Sequence, residues 1–164
     1  MKLLALVILC AVPARAAVYI ARHAEKVATK MSEDPPLTEK GEKRAVDLAR
    51  VLSHVPLKAV YVTEFRRTRL TAGPAAKAHG LKPVQVKLDE TEALARTLRA
   101  EHLADDVLVV AHSDTIPALL KSLGAPGGPE EELASQEYDD LFIVDLSSSG
   151  TSLHWLRYGD APAR

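Results

Sequence analysis

A surplus of charge is absent from this chain: 21 Lys and Arg stand against 22 Asp and Glu in 164 residues. Nucleic-acid binding draws on an excess of basic residues to displace counterions, so the balance argues against that class. Cysteine is almost absent too, with Cys10 alone near the amino terminus. One cysteine makes no internal disulfide, and stability must come from packing. No apolar run reaches the ~20 residues that a bilayer-spanning helix needs. Internal repeats and low-complexity tracts are missing. A G-x-S-x-G elbow is also missing, which weakens a serine hydrolase reading. His54, His79, His102 and His154 show no metal-ligand spacing, so they are read as structural or surface residues. No metal and no cofactor are expected.

What is present is an ordinary globular composition, 47% hydrophobic and 26% charged. Enough apolar area is available to offset chain entropy, and the length fits one domain. The first residues have a different character. Met1-Lys2 is a short positive start, Leu3 to Val12 is apolar, and Ala14-Arg15-Ala16 places small residues at a peptidase site. This pattern predicts a secretory signal over residues 1–16, followed by one domain over residues 17–164. Cleavage would remove Cys10 and with it any thiol chemistry. The competing reading is a buried first strand or helix. Export to the periplasm or the exterior is expected, with no membrane insertion after cleavage.

Apolar runs at 17–21, 59–62, 84–86 and 107–111 suit parallel strands buried on both faces. Ala45, Leu48, Ala49 and Leu52 recur at helical spacing behind Thr38, a candidate N-cap. Further helices are predicted over 91–103 and over 115–123, the latter stopped by Gly124. A helix near 67–79 contains Pro74, which should kink it or delay its start. Leu141–Leu146 and Leu153–Tyr158 flank Ser147–Gly150 and read as a hairpin. The expected fold is a three-layer α/β/α sandwich with a mostly parallel sheet and a C-terminal hairpin. Trp155 and Tyr158 are assigned to core and sheet face. Gly124–Pro129 is assigned to a surface loop, and Glu130–Glu132 to a solvated surface element.

Two predicted strands end in histidine. His23 follows Arg22 after the first, and His112 follows the fourth. Arg66-Arg67-Thr68-Arg69 follows the second. Carboxyl ends of parallel strands are where such sheets bind ligands. Guanidinium forks match the oxygens of a phosphoryl group. Positive neighbours push an imidazole toward its neutral form, whose lone pair can attack phosphorus.

These segments resemble the histidine phosphatase (phosphoglycerate mutase-like) superfamily. Arg22–Lys26 (R-H-A-E-K) resembles its R-H-G signature, and Leu37–Gly41 its L-T-x-x-G helix start. Thr63–Ala72 resembles S-x-x-x-R-x-x-Q-T-A, and Val109–Ile116 resembles V-V-x-H-x-x-x-I. The order and spacing hold over residues 18–158. The resemblance implies that His23 is the nucleophile, that Arg22 and Arg67 hold phosphate oxygens, and that His112 completes the pocket. Arg67 is chosen within its run by the family spacing to Thr71 and Ala72, which leaves Arg66 and Arg69 as neighbours.

The sequence departs from the pattern at Ala24, where Gly is common, at Thr63-Glu64, which replaces Ser-Pro, and at Leu70, which replaces Gln. The general acid is open among Asp114, Glu25, Glu90 and Glu92, and Asp114 is equally a candidate N-cap. The implied function is a small, uncapped, metal-independent phosphatase. It would act on phosphomonoesters or phosphohistidine, in small molecules or in phosphoproteins, through a phosphohistidine on His23. The alternative is a non-catalytic phospholigand-binding protein with the same pocket.

Overall fold

The computed structural model describes residues 16–29, 32–147 and 150–161. The predicted signal therefore lies outside the described residues except for Ala16, which opens the first strand and is fully buried.

The chain runs β1 (Ala16–Arg22), α1 (Glu39–Val51), β2 (Leu57–Thr63), α2 (Arg66–Ala78), β3 (Val84–Val86) and α3 (Thr91–Glu101). It continues through β4 (Asp106–Ala111), α4 (Thr115–Ser122), β5 (Asp140–Ser147) and β6 (Gly150–Arg157). One six-stranded sheet has the order β3-β2-β4-β1-β5-β6. The β3-β2-β4-β1 portion is parallel, while β5 and β6 join antiparallel. The expected three layers and closing hairpin are present.

The apolar runs are strands because both of their faces are covered. Val18, Ile20, Val107 and Val109 face Leu98, Ile116, Leu119 and Leu120 of α3 and α4. Val60, Val62, Leu108 and Val110 face Leu48 of α1, Leu52 at its C-cap, and Ala72, Ala75 and Ala76 of α2. Burial of this kind contributes roughly 1.5–3 kcal/mol per large aliphatic side chain.

Helix boundaries follow local chemistry. The Thr38 hydroxyl caps α1 by accepting from the Gly41 N–H at 3.1 Å. Gly41 itself is required by a close approach, since a Cβ there would lie 2.2 Å from the Glu25 carbonyl oxygen. Gly124, with φ of +64°, ends α4. Its N–H donates to Lys121 O and the Ala125 N–H donates to Leu120 O, both at 2.9 Å, a Schellman motif. Pro74 does not delay α2, which starts at Arg66 and runs through it. The carbonyl deprived of its donor belongs to Leu70, on an exposed turn. Tyr158 lies just beyond β6 and is buried in the α1–α2 face of the core, whereas Trp155 is half exposed and packs on Phe142.

Candidate active site

The central strands β2, β4 and β1 lie side by side and deliver the site at their carboxyl ends. Arg22 pairs with Ala111 in register, and the His23 N–H donates to the Ala111 carbonyl at 2.9 Å. His23 and His112 therefore emerge as neighbours. The α2 helix begins three residues after β2 and brings Arg67 in its first turn. Arg22, His23, Lys26, Arg67, Leu88, His112, Ser113, Asp114 and Glu132 line one cleft of about 280 Å³.

Every side chain of the predicted quartet is held. His23 Nδ1 lies 2.8 Å from the Ala24 carbonyl oxygen. A carbonyl only accepts, so Nδ1 carries the proton and Nε2 keeps its lone pair. Ala24 is itself fixed, its N–H donating to the Thr71 hydroxyl at 2.9 Å. No non-glycine residue among those described has a positive φ, so alanine follows His23 without strain. The His112 ring stands edge-on to His23 with centroids 5.2 Å apart. Arg67 donates to His112 Nδ1 at 3.3 Å and lies over the Phe65 ring at 4.1 Å. Arg22 donates from one terminal nitrogen to the carbonyls of Ala134 and Glu137, at 2.8 and 2.9 Å, and stacks on Tyr138 at 4.3 Å. The Nε groups of Arg22 and Arg67 are buried without a protein partner. Two guanidinium groups lining one cleft, each with a buried donor left unsatisfied, suit an anion.

The electrostatics favour a neutral nucleophile. Burial drives His23 down to about 3, assisted by the positive fields of Arg67 and Arg22. His112 is also pushed down to about 3, first by burial and then by Arg67, Arg22 and Lys26. Burial lowers both guanidinium groups, while nearby carboxylates, Asp114 among them, act in the other direction.

The open question of the acid narrows. Burial alone would raise the Glu25 carboxyl. Two hydrogen bonds from Arg44, both at 2.9 Å, and Lys40 outweigh burial and hold it below the ordinary range. Glu25 is thus committed to a structural ion pair. Glu90 and Glu92 are exposed, pair with Lys87 and Arg96, and do not line the cleft. Asp114 does line it. It takes the N-cap position of α4 with helical angles of −84° and −31°, and its side chain makes no cap bond. Arg66 and Arg69 are exposed and outside the cleft.

Several site residues escaped the sequence reading. Glu132 is exposed, as expected of a solvated surface element, but it also lines the cleft and accepts from the Ser113 hydroxyl at 2.7 Å. Tyr138 and the carbonyls of residues 134 and 137 fix Arg22 but carry no motif. Thr63 and Thr71 stood inside the quoted motif string, where a hydroxyl at a strand end and one a helical turn after Arg67 were the available signals. Among the described residues no group of three His, Cys, Asp or Glu is arranged to hold a metal ion.

The class so defined is an α/β protein with an anion cleft built on two histidines and two arginines. Residues 18–93 match the model of the histidine phosphatase superfamily (branch 1). That match covers a little under half of the chain, and the fold is the one seen in solved histidine phosphatases.

Among solved structures, the protein histidine phosphatase SixA complexed with tungstate is 21% identical with a TM-score of 0.70, covering 87% of this chain and 96% of that one. A mycobacterial glucosyl-3-phosphoglycerate phosphatase is 15% identical with a TM-score of 0.65, covering 90% and 100%. A phosphoglycerate mutase from Bacillus anthracis is 16% identical with a TM-score of 0.62, covering 87% and 92%. No curated protein matches the chain significantly.

Proposed function

We propose that the protein is a metal-independent phosphatase that hydrolyses phosphomonoesters or phosphohistidine through a phosphoryl group carried on His23. The observation that carries this reading is His23, with its Nε2 free, in one cleft with the guanidinium groups of Arg22 and Arg67. Arg22, Arg67 and His112 hold the equatorial oxygens. The Nε2 lone pair forms the N–P bond as the ester or amide bond breaks. Asp114 gives its proton to the departing oxygen, whereas a phosphohistidine leaves as an imidazole and needs less help. Water then attacks phosphorus and gives a proton to the Asp114 carboxylate, the N–P bond breaks with its electron pair returning to Nε2, and phosphate leaves with His23 neutral again. The structural neighbours include a protein histidine phosphatase and a glucosyl-3-phosphoglycerate phosphatase, and the open cleft accommodates either a small molecule or a phosphoprotein.

Export belongs to the same proposal. Cleavage after Ala16 would turn the Ala17 N–H into an ammonium, and that nitrogen already donates to the Asp106 carboxylate at 3.1 Å.

The test is p-nitrophenyl phosphate turnover with and without EDTA. Steady release that EDTA leaves unchanged and His23→Ala abolishes is the expected result. Phosphate binding without turnover would favour a non-catalytic binding protein instead.

A further inference from the structure

Behind His112 lies a chain of hydroxyls whose direction is fixed by its far end. The Thr68 hydroxyl is 2.8 Å from the Phe65 carbonyl and 3.2 Å from the Thr63 carbonyl. Carbonyls only accept, so the single Thr68 proton is spent there. Thr63 Oγ1 lies 3.0 Å from Thr68 Oγ1 and must therefore donate to it. With its own proton spent, Thr63 Oγ1 can only accept from His112 Nε2, which is 2.8 Å away. Neutral His112 thus holds its proton on Nε2 and turns the Nδ1 lone pair toward the cleft. Arg67, donating to Nδ1, agrees with that assignment. All three relay residues are buried, so water does not offer an easy substitute partner.

Both histidines consequently present lone pairs to the same cleft, with opposite consequences. On His23 the lone pair serves attack. On His112 it faces a phosphate oxygen lone pair, and the two repel unless a proton lies between them. The charged and titratable groups around His112 are Arg67 from α2, Arg22 and His23 from the end of β1, and Lys26 from the following loop. Asp114 and Glu132 line the same cleft. Without a ligand, burial first and then the cations keep Nδ1 unprotonated. A phosphate dianion reverses the sign of the local field.

We propose that Thr63, backed by Thr68, is a positioning residue that locks His112 in its Nε2–H form, so that phosphate binds together with one proton shared between Nδ1 and a phosphate oxygen. The phosphatase reading supplies the ligand for this inference. The tautomer itself does not depend on that reading.

The test is calorimetric titration of the intact protein with inorganic phosphate at mildly alkaline pH, in buffers of different ionisation enthalpy. The free protein is also examined by imidazole nitrogen NMR. Wild type and Thr63→Ser should take up about one proton per phosphate, and His112 should show the Nε2–H tautomer. In Thr63→Val, His112 is free to carry its proton on Nδ1 as a neutral donor, and uptake should fall toward zero. Phosphate binding without proton uptake in wild type, an Nδ1–H tautomer in the free protein, or equal uptake in Thr63→Val would each overturn the proposal. If phosphate fails to bind while the Nε2–H tautomer is observed, the coupling and the phosphatase reading fall together. If phosphate binds with the wrong tautomer, the relay alone falls. Should Thr63→Val not fold, Thr63→Ser and the wild-type tautomer still decide the outcome.

Discussion

The imidazoles of His23 and His112 stand edge-on with their centroids 5.2 Å apart, and yet both are neutral down to about pH 3. Burial is the leading cause for each. Two arginines in the same cleft then make a further positive charge unfavourable. A strong nucleophile in mildly acidic solution follows from this arrangement, because no proton has to be removed from His23 before attack.

The first prediction concerns stability against pH. Unfolded, these two histidines take up protons from about pH 6.5 downward, whereas folded they resist until about pH 3. The unfolded state therefore binds more protons throughout that window, and stability falls as pH falls. The slope is about 1.4 kcal/mol per pH unit for each histidine. Urea midpoints measured from pH 7 to pH 4 should decline, and should decline less in the His23→Ala, His112→Ala double variant. An equal decline in both proteins would place the acid sensitivity elsewhere.

A second prediction separates the two arginines. Lysine is a point charge without the guanidinium fork, so Arg67→Lys and Arg22→Lys should each lower kcat/KM by about 10²–10³-fold. Only Arg22 also holds the carbonyls of Ala134 and Glu137. Its replacement should cost a further ~1 kcal/mol of stability through the lost hydrogen bonds. Thermal melts beside steady-state rates check both parts.

Fold and site were not equally legible in the sequence. Strands β1 and β4 announced themselves as unbroken apolar runs, because both of their faces are covered by helices. The histidines that follow them were legible for the same reason, since a polar residue ending such a run sits at the sheet edge. What fixes Arg22 was invisible. Its partners are backbone carbonyls of residues 134 and 137, which any side chain could carry. Glu132 hid in an acidic run that resembles ordinary solvated surface. Glu25 was a fair candidate acid until its pairing with the distant, buried Arg44 appeared, and such long-range pairing has no local signature.

That ion pair gives the third prediction. Glu25→Gln should leave Arg44 buried and uncompensated, costing roughly 3–5 kcal/mol of stability, with kcat per folded molecule preserved. Asp114→Asn should behave in the opposite way. Its stability should hold, while turnover of alkyl phosphates falls by about 10²-fold and turnover of p-nitrophenyl phosphate changes little. Denaturant titration and a leaving-group series distinguish the two carboxylates.

The account turns on a bond between Nε2 of His23 and phosphorus. Rapid mixing with a radiolabelled phosphosubstrate, a quench within one turnover, and mapping of the labelled residue test it most directly. The expected result is label on His23 alone, stable in base, lost in acid and missing from His23→Ala. Turnover with no label on His23, or label carried by another residue such as Asp114, would contradict it.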